Sequence, residues 1–375
     1  MFKYLPLTLL LLLPATGCHA VPEGSFAEGL SCCRELFNTS MKEGVSCYRI
    51  PALAAASDGT LLAVIDERVA DGSDLGTNRN INLVLRRSSD NGDSWSDLES
   101  LVDYPDGRSA SDPSLLVDEI TGQIFLFYNF MDHDKAPGEY RLHVMKSSDN
   151  GSTWSEAEDI TGQITKEDWQ HDFKFITSGL GTQTRSGLLL HTLVNLKRGL
   201  HLFASRDHGK SWTLIDTPIR PADESKVVEL DDGRWLINSR VNKAGKRFTH
   251  FSSDEGKSWE SRAEKTLVDP GCNGALLRCT QKSKGAAKNR LLFSNAMDRK
   301  ERRNLAVRIS YDEGESWSSG KVIYSGSAAY STMALLKNGD IGIFFEKDDY
   351  SNNVFVRFSL NWLTEGNDPG ESLER

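Results

Sequence analysis

Carboxylates recur at a fixed spacing along this chain, and carboxylates are among the side chains that enzymes use as acids and bases. The pattern Ser-x-Asp-x-Gly-x-x-Trp occurs five times with all four positions filled. Its aspartates are Asp90, Asp149, Asp207, Asp254 and Asp312. Catalysis by one of them is the weaker interpretation, because a site used once does not need five copies. The repeat therefore indicates a structural element.

A turn explains each residue type of this pattern. A short Asp side chain accepts hydrogen bonds from backbone N–H groups a few residues on, Gly supplies a positive φ, and Trp buries a large flat surface. Each copy follows an alternating run such as 82–86 or 304–309, which is typical of a β-strand. The pattern therefore predicts a hairpin turn.

The spacing of the copies predicts the architecture. Successive aspartates lie 59, 58, 47 and 58 residues apart, periods typical of a propeller or solenoid. Each period has room for four strands, the composition of one propeller blade. The residues after position 20 hold about six such periods. We predict an all-β fold, a six-bladed β-propeller with antiparallel four-stranded blades. The sixth blade, from Lys321 to Trp362, would lack the motif and be closed by a strand near the N-terminus.

The first twenty residues have the pattern of a signal peptide. One cation, Lys3, precedes an apolar run at 5–13 that is too short to span a bilayer, and small residues follow. Cleavage before Cys18 would give a lipidated N-terminus, and cleavage after Ala20 a freely secreted chain. We expect a secreted or cell-envelope protein, with a lipidated Cys18 as its one route to membrane attachment, and residues 21–375 forming one domain.

Composition excludes several classes of protein. Acidic residues outnumber basic ones by 53 to 44, which argues against binding to nucleic acid. Cys272 and Cys279 are close enough for a short disulfide loop in an oxidising compartment. His171, His191 and His201 lack metal-ligand spacing, and no phosphate-binding glycine loop or Ser-His-Asp arrangement is present. We expect no metal, no cofactor and a monomer.

The five repeats resemble the Asp-boxes of the sialidase family, and the segment Arg49-Ile50-Pro51 resembles that family's Arg-Ile-Pro signature. Since Asp-boxes also occur in propellers that only bind or scaffold, the site residues decide the matter. The resemblance implies a retaining exo-α-sialidase that removes terminal sialic acid from glycoproteins, glycolipids and oligosaccharides. It also makes residues 21–375 a single catalytic domain.

Three arginines would hold the carboxylate of the sugar, because guanidinium groups bind carboxylates in a planar, bidentate way. Arg49 resembles the first of the family's three, Arg240 the second and Arg302 the third. Arg303 is the alternative to Arg302, since strand neighbours point to opposite faces and only one can reach the site. A single arginine is by default a solvated surface residue, but three matching positions favour a site.

The resemblance also implies an acid/base residue. Asp74, six residues after Arg68, is similar to the family's acid/base aspartate after its accompanying arginine. The surrounding stretch, rich in Gly, Asp and Asn, is typical of a loop beside a site. Asp71 in the same loop is the alternative.

Tyr330 resembles the family's nucleophile. A neutral phenol can approach a carbon that already bears a carboxylate without like-charge repulsion, and sialidases are the tyrosine-using exception among retaining glycosidases. Glu224, sixteen residues before Arg240, resembles the base that activates it. Glu229, inside the following strand-like run, is expected to face outward.

Two further acids complete the resemblance. Glu346 would support Arg49, and Asp112 is similar to an aspartate that contacts the N-acyl side of the sugar, with a plain turn before Pro113 as the alternative. Two other functions remain open from sequence. One is a related keto-acid sugar glycosidase, trans-sialidase or anhydro-sialidase of the same fold, and the other is a non-catalytic glycan-binding propeller.

Overall fold

A computed structural model of the chain describes residues 24–69 and 71–371. The expected signal peptide, with Cys18, lies outside these residues. The strands are β1 Cys32–Asn38, β2 Cys47–Ala55, β3 Leu61–Arg68, β4 Ile81–Ser88, β5 Glu99–Val102, β6 Arg108–Val117, β7 Ile124–Asp132, β8 Arg141–Ser147, β9 Glu158–Asp159, β10 Lys174–Ile176, β11 Gly179–Leu180, β12 Thr182–Gln183, β13 Leu189–Asn195, β14 Gly199–Ser205, β15 Thr213–Ile219, β16 Ser225–Glu229, β17 Trp235–Ser239, β18 Lys246–Ser252, β19 Glu260–Val268, β20 Ala275–Thr280, β21 Arg290–Ala296, β22 Arg303–Ser310, β23 Lys321–Leu335, β24 Ile341–Lys347 and β25 Asn352–Phe358.

Helices are few and short. They are α1 Thr161–Ile164, α2 Leu360–Leu363 and two 3₁₀ turns, Glu167–Trp169 and Lys282–Lys284. In the part of the chain that the structure describes, no helix has the length and apolar character needed to cross a membrane.

The strands form five sheets. Two have four strands, β2-β3-β4-β5 and β16-β17-β18-β19, and two have five, β11-β6-β7-β8-β9 and β10-β13-β14-β15 with β12 beside β13. The remaining strands form one seven-stranded sheet, β1-β25-β24-β23-β22-β21-β20. Apart from β11, which pairs parallel with β6, neighbouring strands are antiparallel. The all-β propeller is confirmed.

The predicted count of six separate four-stranded blades is wrong. The structure has four separate blades and one continuous sheet of seven strands. The reason is the 15-residue strand β23, whose first half pairs with β22 and whose second half pairs with β24. As predicted, a strand near the N-terminus, β1, closes the end of this sheet by pairing with β25.

The repeated motif forms the turn between the third and fourth strands of its unit, at β4–β5, β8–β9, β14–β15, β18–β19 and β22–β23. In every copy the Ser Oγ donates to Asp Oδ1 at 2.8 Å. The backbone N–H four residues after the Asp donates to the same oxygen at 2.8–3.0 Å. The prediction of a hairpin turn is confirmed.

The motif also joins neighbouring sheets. Trp95 packs edge-on against Phe355 of the seven-stranded sheet, with ring centroids 5.1 Å apart. Gly92, at φ 88°, lies so close to Phe355 that an added Cβ would be 2.1 Å from its ring. Glycine is therefore required here both for the backbone angle and for the close approach. Buried apolar clusters fill the spaces between adjacent sheets in the same way.

Candidate active site

Three arginines converge on one tyrosine: Arg49 lies on β2, Arg240 directly after β17 and Arg302 just before β22. Tyr330 lies on β23 with its side chain buried. The guanidinium carbons of Arg49 and Arg302 lie 5.6 and 5.5 Å from the centroid of its ring. Arg240, directly after β17, donates from Nη1 to Tyr330 Oη at 3.0 Å. Residues distant along the chain therefore converge on a single phenol.

Glu346 fixes two members of this group. Its buried carboxylate, on β24, accepts from Arg49 Nε at 3.1 Å and from Arg49 Nη2 at 3.5 Å. It also accepts from the backbone N–H groups of Ile50 and Tyr330 at 2.9 and 3.1 Å. A bulge in β2, where Ile50 has φ 65°, turns the Ile50 N–H toward Glu346. Burial disfavours the Arg49 cation, but the charges of Glu346, Tyr330 and Tyr350 and the hydrogen bond to Glu346 together outweigh burial and raise the pKa of Arg49.

Tyr330 is hydrogen-bonded to a buried carboxylate. Its Oη donates to Glu224 Oε2 at 2.8 Å, and Arg240 Nη1 donates to the same oxygen. Glu224 is buried, just before β16. Burial and the adjacent carboxylate raise the pKa of Tyr330 well above 10. The phenol is therefore neutral at ordinary pH, and Glu224 is the carboxylate that accepts its hydrogen bond.

Asp74 lies on an exposed loop beside the arginines. Arg68, fully buried at the end of β3, donates from Nη1 to Asp74 Oδ1 at 2.7 Å and to the Gly72 carbonyl at 2.8 Å. Arg49 Nη1 is 3.8 Å from the same carboxylate. Burial acts to raise the pKa of Asp74, but the charge and hydrogen bond of Arg68, together with the charges of Arg49 and Arg302, outweigh burial and lower the pKa. Asp71, the alternative, instead accepts from Ser73 of its own loop.

Asp66 was not among the residues predicted for the site, although its side chain is fully buried. It accepts from Arg68 Nη2 at 3.2 Å, Ser111 Oγ at 2.6 Å and Asp112 N–H at 2.9 Å. The signal that could have identified it is an acid that directly follows the apolar run 61–65 and precedes Arg68 by two residues. Asp66 holds Arg68 in place, and Arg68 holds Asp74.

Asp112 lies in a bulge of β6 at φ 60°, and not in the plain turn considered as the alternative. Asn129 Nδ2 donates to its carboxylate at 3.0 Å. Burial, and next the charge of Asp66, raise the pKa of Asp112. Its side chain therefore favours the neutral form, which can donate a hydrogen bond.

The remaining sequence alternatives point elsewhere. Glu229 accepts from the backbone and side chain of Arg185, at 2.7 and 3.3 Å. Arg303 donates to Asp298 at 2.8 Å and is half exposed. Glu224 and Arg302 are thus the members of each pair that lie beside Tyr330. Buried Cys272 also packs there, and it is not bonded to Cys279.

Within residues 24–69 and 71–371, no group of three or more His, Cys, Asp or Glu side chains is arranged to hold a metal ion. The site's cations are its arginines. Together with a buried phenol, the carboxylate bonded to it and a carboxylate on a loop, the arginines define a propeller whose site suits an anionic ligand.

Comparisons with known proteins identify the relatives of this chain. The BNR repeat-like domain family matches residues 59–343. A sialidase of Micromonospora viridifaciens is 34% identical over 349 residues, covering 86% of this chain and 53% of its own length. A sialidase of Bacteroides fragilis is 28% identical over 330 residues, covering 80% of this chain and 60% of its own. The solved structure of a Hadza microbial sialidase superposes with a TM-score of 0.76 at 26% identity, covering 86% of this chain and 67% of that one.

The chain belongs to the BNR repeat-like domain family, and the curated relatives described above are sialidases. It spans between one half and two thirds of the length of the two curated relatives described above.

Proposed function

We propose that this chain is a retaining exo-α-sialidase that hydrolyses terminal sialic acid from glycoproteins, glycolipids and oligosaccharides. The observation that carries the proposal is the convergence of Arg49, Arg240 and Arg302 on Tyr330, whose hydroxyl donates to Glu224. A carboxylate-bearing sugar needs such a group of cations. The sialidases among the relatives support the same activity.

Binding prepares the acid. In the free site the charges of Arg68, Arg49 and Arg302 act together to lower the pKa of Asp74. The substrate's carboxylate adds a negative charge next to Arg49 and Arg302, and this weakens their effect on Asp74. The pKa of Asp74 then rises, which favours the protonated form that a general acid needs.

The first chemical step breaks the glycosidic bond. Tyr330 Oη attacks the anomeric carbon while its proton passes to Glu224, and Asp74 donates a proton to the leaving oxygen. The products are a sugar joined covalently to Tyr330 and the freed aglycone. The transfer from Tyr330 is direct, because its hydroxyl already lies 2.8 Å from Glu224 Oε2.

The second step releases the sugar. Asp74, now ionised, takes a proton from a water molecule as the water attacks the anomeric carbon, and Glu224 returns its proton to the departing tyrosine oxygen. Two displacements at one carbon retain its configuration. In this mechanism Glu346 positions Arg49, Arg68 positions Asp74, and Asp112 contacts the N-acyl side of the sugar.

The test is hydrolysis of a fluorogenic sialoside by wild type and by Tyr330→Phe, Asp74→Ala and Arg302→Ala. Loss of the general acid should reduce turnover by about 10²–10⁴-fold. The matched controls are Tyr311→Phe, an exposed side chain whose hydroxyl donates to Asp368, and Arg303→Ala. Both should leave turnover unchanged.

Absence of turnover by wild type on any sialoside would overturn the proposal, and so would full activity of Tyr330→Phe. Identification of the released sugar as free sialic acid, and not as an anhydro or transferred product, tests the hydrolytic part. For location, we propose secretion or attachment to the cell envelope, on the signal-peptide pattern of residues 1–20. Finding the protein in the cytoplasm of its own cell would refute that location.

A further inference from the structure

The connection between β24 and β25 has an unusual backbone. Asp348, Asp349 and Tyr350 have φ values of 52°, 51° and 70°. Three consecutive residues other than glycine in the left-handed region are unfavourable, because each Cβ crowds its own backbone. Such an arrangement persists only where its surroundings hold it, and it often occurs at functional sites.

Hydrogen bonds to β23 hold this turn. The Asp348 carboxylate accepts from Tyr324 Oη at 2.5 Å and from the neighbouring Lys347 ammonium. The Asp349 carboxylate accepts from Ser327 Oγ at 2.7 Å, and Asp348 N–H donates to the Ser327 carbonyl at 3.0 Å. The strained turn is therefore fixed at both aspartates, and the residue it presents is Tyr350.

Tyr350 contacts two of the three arginines. The guanidinium carbon of Arg49 lies 4.1 Å from the centroid of its ring, within the range of a cation–π contact. Arg302 Nη1 donates to its hydroxyl at 3.0 Å. One side chain thus sets the distance between two cations that would otherwise repel each other.

The partners of the arginines differ in charge. Arg49 bonds to Glu346 and Arg240 to Glu224, so the charges of both are compensated. Among the described residues, Arg302 donates from Nη1 to Tyr350 Oη at 3.0 Å and from Nη2 to the Gly271 carbonyl at 3.3 Å. Neither of these acceptors carries a formal charge. Arg302 is positioned without being neutralised, and its charge stays available to an anion.

We propose that Tyr350 is a positioning residue that holds Arg302 and Arg49 in register for the carboxylate of the sugar. This inference rests on the proposed sialidase function. It predicts that Tyr350 acts on recognition of the carboxylate and leaves the chemical step unaffected.

The experiment compares Tyr350→Phe, which keeps the ring on Arg49 but loses the hydroxyl, with Tyr350→Leu, which loses both contacts. Tyr104→Phe is the matched control, since its hydroxyl pairs with Tyr128 at 2.9 Å and its ring faces Arg108 at 5.7 Å. Kinetic constants on a fluorogenic sialoside are measured together with inhibition by an unsaturated sialic acid analogue and by its methyl ester. The ester presents the same ring without a negative charge.

The hydroxyl bonds a charged group, so Tyr350→Phe should raise KM and the inhibition constant of the acid by about 10-fold. Tyr350→Leu should raise both further, with kcat within about 2-fold of wild type and little change in ester binding. A ratio of acid to ester affinity that stays at the wild-type value in both variants, whether or not both affinities fall, would overturn the proposal. If wild type neither hydrolyses the sialoside nor binds the acid, the proposed function itself fails. If wild type is active and the variants match it, only the role of Tyr350 fails.

Discussion

Replacing Glu346 by Gln tests how the site is held together. Four hydrogen bonds end on the Glu346 carboxylate, two from Arg49 and one each from the N–H groups of Ile50 and Tyr330. Glutamine keeps the shape but has one carbonyl oxygen, and its NH₂ group must face one of these donors. The guanidinium of Arg49, only 12% exposed, would lose its countercharge.

The magnitude follows from these contacts. Removing one partner of a buried ion pair costs about 3–5 kcal/mol of the free energy of unfolding. A displaced Arg49 would also lose its contact with the substrate's carboxylate. At about 1.5–3 kcal/mol for a hydrogen bond between charged groups, kcat/KM should fall roughly 10- to 150-fold.

The assay combines denaturant unfolding with steady-state hydrolysis of a fluorogenic sialoside. Glu313→Gln is the matched control, because Glu313 accepts from Arg278 at 2.8 and 2.7 Å and from the Asp231 N–H at 2.7 Å. The ion pair of Glu313 with Arg278 is similarly buried, but Glu313 lies in an Asp-box turn. Both variants should lose stability, and only Glu346→Gln should lose kcat/KM. Equal kcat/KM in the two variants would show that Glu346 is not part of the site.

Three further predictions concern pH. Because the substrate's carboxylate raises the pKa of Asp74, the alkaline limb of kcat should lie at higher pH than that of kcat/KM, and coincident limbs would contradict this. The pKa of Asp207 is lowered to about 2, chiefly by the Ser211 hydroxyl. The stability that the ionised Asp207 adds to the folded state is therefore present above about pH 4 and lost as pH falls through 2. The Tm difference between wild type and Asp207→Asn should close from pH 5 to 2, with turnover unaffected. The pKa of Asp112 is raised by burial, so the folded state loses stability as pH rises through that pKa. Asp112→Asn should therefore gain Tm relative to wild type from pH 5 to 9. A Tm difference that stays constant over this range in calorimetry would refute the prediction.

The local elements of the fold were predictable from sequence. An Asp-box needs only eight consecutive residues, and its bonds join residues two to four positions apart, for example Ser205, Asp207 and Ser211. The number of separate blades was not predictable in this way. The stretch 325–332 is rich in Ser, Ala and Gly and resembles a loop, yet it is part of the continuous strand β23. Pairing on both of its sides, a tertiary feature, decides this.

The site, too, has a part that could be predicted from sequence and a part that could not. Its arginines, tyrosine and carboxylates could be nominated one by one from motifs that resemble those of a family. Their partners could not, because the contact of Arg49 with Glu346 joins residues 297 positions apart and forms only when the ring of sheets closes. Asp66 and Tyr350 were missed for this reason. Neither belongs to a motif, and each acquires its role from the arginines packed beside it.

The central claim is that Tyr330 forms a covalent bond with the sugar, and trapping that species tests it most directly. A sialosyl fluoride with a second fluorine on the adjacent carbon slows both steps, while its good leaving group lets the first proceed, so the intermediate accumulates. Peptide mass spectrometry of the trapped wild-type protein should find the added sugar on Tyr330. A label on Glu224 or Asp74, or an enzyme that turns over sialosides and is never labelled, would contradict the account.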